Sequence, residues 1–80
     1  MRTASGIYVQ LGAFGSRKNA ENFLARLQGQ VAWLGDSIHI YPRDGLYRVH
    51  AGPYASRGEA RSVADRVNQS LGLKPFVLTR

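Results

Sequence analysis

Val9-Gln-Leu-Gly-Ala-Phe-Gly-Ser-Arg-Lys-Asn-Ala20 returns forty residues later as Val49-His-Ala-Gly-Pro-Tyr-Ala-Ser-Arg-Gly-Glu-Ala60. Val9/Val49, Gly12/Gly52, Ser16/Ser56, Arg17/Arg57 and Ala20/Ala60 are identical pairs, and Phe14/Tyr54 keeps an aromatic ring. Two copies are too few to stack as a solenoid. They suit a domain of two related halves, each a strand running into a helix.

Local patterning around the repeat agrees. From Ile7 onward the chain alternates, with Ile7, Val9 and Leu11 on one face and Tyr8 and Gln10 on the other. Gly12 and Gly52 fall where each strand must bend toward its helix. Ser16 and Ser56 are suited to be N-caps, and Ser56-Arg-Gly-Glu59 has the spacing of a capping box. Ala20, Phe23, Leu24 and Leu27 form one buried stripe at helical spacing, and Ala60, Val63, Ala64 and Val67 repeat it. Gly29 and Gly72 stand where C-caps are expected. Between the halves, Ser37 to Tyr41 alternates, Pro42-Arg-Asp-Gly45 reads as a turn, and Leu46 to Ala51 returns as a strand. Phe76 to Thr79 supplies the last strand. Val31-Ala-Trp-Leu34 has two readings: an early start to the second strand, or a turn with Trp33 packed against an edge.

The order strand-helix-strand-strand-helix-strand predicts an α+β, ferredoxin-like (RNP-type) βαββαβ domain. Two helices should cover one face of a four-stranded antiparallel sheet of order 4-1-3-2. Residues 6–80 form that single domain, and residues 1–5 read as a disordered or appended lead. Its length of 80 residues allows one small core and no second domain.

Composition narrows the function classes. Lys+Arg 11 against Asp+Glu 5 gives a net charge of +6, which favours a polyanionic partner. With no cysteine there is no disulfide framework, Cys-based metal site or thiol nucleophile. No apolar run approaches the ~18 residues of a membrane span. The two histidines lack a carboxylate partner, so no metal or other cofactor is expected. The acids fall on loops and polar helix faces without the close pairing that glycoside hydrolysis needs. The sequence contains no catalytic constellation.

Parity then separates core from surface. Ile7, Val9, Leu11, Ile38, Ile40, Tyr47, Val49, Phe76 and Leu78 are assigned to the helices. The opposite face is left with Tyr8, Gln10, His39, Tyr41, Leu46, Arg48, His50 and Val77. A half-exposed sheet ordinarily shows solvent Thr, Lys and Glu. This one shows rings, an amide and a cation with no acid, a mixture suited to a ring-shaped anionic ligand. The bland alternative is a face covered by a neighbouring domain or by the termini.

RNA is the competing ligand. Ile7-Tyr-Val-Gln-Leu-Gly12 resembles an RNP2 strand, and the element order is the same. The RNP1 pattern decides against it. Asp44-Gly-Leu-Tyr-Arg-Val-His-Ala51 puts Leu46, Arg48 and Ala51 at the three places where stacking aromatics belong.

Tyr8-Val-Gln-Leu-Gly-Ala-Phe14 and Tyr47-Arg-Val-His-Ala-Gly-Pro-Tyr54, each followed by Ser-Arg, resemble the paired signatures of a SPOR domain. The stretch from Gly45 to Arg61 is most similar to the C-terminal SPOR domain of the rare lipoprotein A type, a family of septal lytic transglycosylase lipoproteins. The resemblance implies a non-catalytic, monomeric module that binds peptidoglycan glycan strands lacking stem peptides and brings its host to the division septum. It also implies a periplasmic location in a Gram-negative cell envelope, reached through an export signal outside these 80 residues, with no nucleic-acid partner and no membrane insertion by the domain. Carried over by motif, the family's glutamine is Gln10, and Ala13 stands where several members have serine. Leu46 and Arg48 match a third-strand aromatic and arginine, and Val77 a fourth-strand apolar contact. Leu46 departs from that aromatic.

Overall fold

The computed structural model describes residues 6–79, the side chains of residues 35 and 36 apart. The lead proposed for residues 1–5 lies outside them. The elements are β1 (Ile7–Phe14), α1 (Arg17–Gln30), a 3-10 helix (Ala32–Ser37), β2 (Ile38–Arg43), β3 (Leu46–Tyr54), α2 (Arg57–Leu71) and β4 (Phe76–Thr79). The sheet runs β2-β3-β1-β4 with every neighbouring pair antiparallel, which is the expected 4-1-3-2 read from the other edge. Both helices pack on one face. The core joins Val9, Leu11, Val49 and Ala51 of the central strands to Ala20, Leu27, Ala60, Ala64 and Val67 of the helices. Alanines at the contact let the helix backbones approach the sheet closely, and Leu27 and the valines fill the remaining volume.

Capping follows the repeat. The Ser16 hydroxyl accepts from the Asn19 amide at 3.3 Å and Ser56 from the Glu59 amide at 3.1 Å. The Glu59 carboxylate reaches back to accept from the Ala55 amide at 3.0 Å, one residue before the cap itself. Gly72 closes α2 in the left-handed conformation, as expected. Gly29 does not close α1. The helix continues to Gln30 and ends on Val31, whose amide donates to the Leu27 carbonyl. Burial of Val31 and Leu34 ties down the following 3-10 helix, an outcome between the two readings of that segment. Trp33 is 37% exposed, with the Arg66 guanidinium 4.1 Å from its ring centroid.

Two β-bulges set the phase of the central strands. Gln10 pairs with His50, but Gly12 pairs with Val49, leaving Leu11 as the extra residue. Leu11 is buried in the core, and a Cβ on Gly12 would lie 3.1 Å from the Phe14 ring and 3.2 Å from the Phe23 ring. Both therefore turn toward the helices, and the alternation slips by one. Phe14 then packs on Phe23 with ring centroids 5.1 Å apart. The second bulge lies in β3, between the pairs Val9/Ala51 and Ile7/Tyr54. It holds Gly52 at φ 132°, followed by a cis peptide to Pro53. The repeated glycines thus occupy the two bulges.

Candidate functional site

The helix-free face gathers most of the residues picked out by parity. Across β2 and β3 the ladder sets His39 opposite His50 and Tyr41 opposite Arg48. Across β3 and β1 it sets His50 opposite Gln10 and Arg48 opposite Ala13. Arg48 therefore sits between Tyr41 and Ala13. The slip at Leu11 places Ala13 on this face; unbroken alternation would have sent it to the helices.

Gln10, Tyr41, Arg43, Arg48, His50 and Leu78 are among the residues that line a pocket of about 260 Å³ there. That is below the roughly 300 Å³ at which enclosed small-molecule pockets begin, so it suits one unit of an extended ligand. Its chemistry is mixed. The His50 ring Nε2 and Gln10 Oε1 are 3.0 Å apart. Because that oxygen can only accept, the imidazole N–H donates, and the Gln10 –NH2 is the donor end of an amide anchored through its oxygen. The Tyr41 ring stacks on His50 at 5.5 Å, and the Tyr8 ring tilts against it from the other side at 5.8 Å. Among the described residues, no carboxylate lies within ion-pair distance of Arg48. Its half-buried guanidinium is a planar fork offered to an anion.

Three assignments change. Tyr8 is 4% and His50 2% exposed, so neither presents a ring face or a surface charge to a ligand. Tyr8 lies against the Gly52 bulge, where a Cβ on Gly52 would come within 3.0 Å of its ring. His50 lines the pocket from within the sheet, and Tyr8 packs against its ring. The third change is Val77. It pairs with Val9, and both pack against the core on the helix side. Leu78 pairs with Tyr8 and lines the pocket in its place, while Phe76 pairs with Gln10 and is 56% exposed. The fourth strand is thus inverted relative to the parity assigned to it. Three consecutive apolar residues in a four-residue strand carry no phase of their own, so the ladder decides. His39 is exposed on the outer strand, and Leu46 is half-buried opposite Arg43.

Arg43 and Asp44 escape the parity reading, although extending the His39, Tyr41 alternation by one step would have found Arg43. Its Nη1 donates to the Tyr41 hydroxyl at 3.4 Å, and its Nε lies 3.7 Å from the Asp44 carboxylate. The hydrogen bond to Tyr41, with electrostatic interaction with Tyr41 and the Asp44 carboxylate, raises the Arg43 pKa above its ordinary value. Tyr54 titrates above the usual phenol range because burial and then Glu59 oppose its ionisation, but it lies on the helix side. Among the described residues, no group of three His, Cys, Asp or Glu is placed to hold a metal.

A four-stranded sheet with two helices behind it and a shallow, basic, aromatic-walled pocket in front defines a small binding module. The SPOR domain family model matches residues 3–79, and the chain belongs to that family of non-catalytic binding modules. The structure is similar to the solution structure of the peptidoglycan binding domain of the B. subtilis cell wall lytic enzyme CwlC. The TM-score is 0.74 and the identity 28%, covering 100% of this chain and 96% of that one. The chain is also 37% identical over 62 residues to the exodeoxyribonuclease 7 small subunit of Novosphingobium aromaticivorans, covering 74% of this chain and 75% of the relative.

Proposed function

We propose that this domain binds peptidoglycan through its helix-free sheet face, recognising glycan strands from which the stem peptides have been removed. It thereby holds its host protein at the division septum within the cell envelope. The convergence of Arg48, the oriented Gln10 amide and the Tyr41 ring on one pocket carries the reading. Removal of a stem peptide leaves a free carboxylate on each muramic acid, so a denuded strand is a regularly charged polymer with flat sugar faces. Arg48 pairs with a lactyl carboxylate, Gln10 donates to an acetamido or hydroxyl oxygen, and Tyr41 with Leu78 supports a pyranose ring. Ala13, small and exposed beside Arg48, leaves the strand room to pass. Family membership and the peptidoglycan-binding neighbour support the same partner.

The test is a pulldown of the domain on sacculi with and without amidase pretreatment, with RNA and single-stranded DNA as competitors. Retention should rise after amidase treatment and survive both competitors. Equal retention on untreated sacculi would contradict the preference for denuded strands, and loss to either competitor would favour a nucleic-acid ligand.

A further inference from the structure

The pocket contains two guanidiniums of different standing. Arg48 faces it with no described carboxylate within ion-pair distance, whereas Arg43, one step along β2 from Tyr41, is paired with Asp44 at 3.7 Å. Asp44 heads the β2–β3 turn at φ 54°, followed by Gly45 at φ 78°, the positive-φ pair of a two-residue type I′ hairpin. The turn therefore fixes the acid's backbone beside Arg43 at the lip of the pocket, which Asp44 also lines. With the pair closed, the charges of Arg43 and Asp44 cancel and the pocket's net charge is that of Arg48. One carboxylate per disaccharide meets that single cation. A phosphodiester chain brings a charge at every residue and can engage the second.

We infer that Asp44 is a specificity-determining residue: by pairing with Arg43 it withholds the second cation and disfavours polyanions more densely charged than a denuded glycan. This rests on the proposed function for its preferred ligand. It also gives a domain of net charge +6 a local means of discriminating among the polyanions its overall field attracts.

Asp44→Asn tests it, because Asn-Gly is the favoured type I′ pair and only the charge is removed. Binding of a short oligo(dT), followed by fluorescence anisotropy, should tighten about two- to fivefold, the range for release of an exposed ion pair. Calorimetric affinity for denuded glycan should tighten by a smaller factor than oligo(dT) binding does, because its carboxylates are more widely spaced. In an Arg43→Gln background the Asp44→Asn change should leave oligo(dT) binding as it was. Equal tightening for both ligands, no tightening for oligo(dT), or an Asp44→Asn effect that persists without Arg43 would each overturn the inference. Wild-type protein that ignores denuded glycan would contradict the proposed function. The oligo(dT) measurements would then still decide whether Asp44 withholds Arg43.

Discussion

Arg48 and Gln10 share the proposed site and differ in energetics. Arg48→Ala removes a half-buried cation that forms no ion pair among the described residues, so thermal stability should change little. Glycan affinity should fall by about 1.5–3 kcal/mol, roughly tenfold or more, for a lost charge-assisted hydrogen bond. Gln10→Ala should do two things, because its carbonyl accepts from the buried His50 ring. An imidazole that loses that acceptor should cost about 1–3 kcal/mol of folding stability in addition to the loss of binding. Calorimetric binding and thermal melts of both variants check this split. Side-chain parity made Arg48, Gln10 and Tyr41 legible as a set in the sequence. It could not show that Tyr8 and His50 are buried, since burial on an open face depends on neighbours distant in sequence.

The elements illustrate the same division between local signal and tertiary decision. Strand and helix order, both N-caps and both buried helix stripes were readable because each rests on residues a few positions apart. The phase of β1 beyond Gln10 and that of β4 were not, because a bulge and a short apolar strand take their phase from partners. Ala13 is picked out through a motif, and the bulge at Leu11 is the physical reason it lies on the helix-free face. Two glycines make this measurable. Gly52→Ala would put a Cβ 3.0 Å from the Ile7 carbonyl oxygen and the Tyr8 ring at φ 132°, and strain of this kind costs on the order of 1–3 kcal/mol. Gly29 lies inside α1, and a methyl group placed on its Cα would meet nothing within 4 Å. Gly29→Ala should therefore stabilise by up to about 1 kcal/mol through helix propensity. Urea melts should move in opposite directions for the two. Ser56→Ala should cost about 1 kcal/mol in the same assay, since it removes the cap that repeats Ser16.

For the molecule as a whole, the internal repeat and the one-sided packing have a single consequence: two helices shield one face and leave the other to a ligand. The net charge of +6 favours polyanions at the surface, and in the proposed function the pocket selects among them. Binding to denuded glycan should weaken with salt, as charge pairs are screened over about 10 Å at 0.1 M. The slope should be shallower than for a nucleic acid, because carboxylates recur once per disaccharide and sugar stacking is insensitive to salt. Affinities measured across a salt series for both polymers provide that comparison. The most direct test of the open-face site is a map of amide shifts as denuded glycan fragments are titrated into isotope-labelled domain. The largest changes should fall on Gln10, Ala13, Tyr41, Arg48 and Leu78, with α1 and α2 nearly silent. Changes concentrated on the helices, with the pocket strands unmoved, would contradict the account.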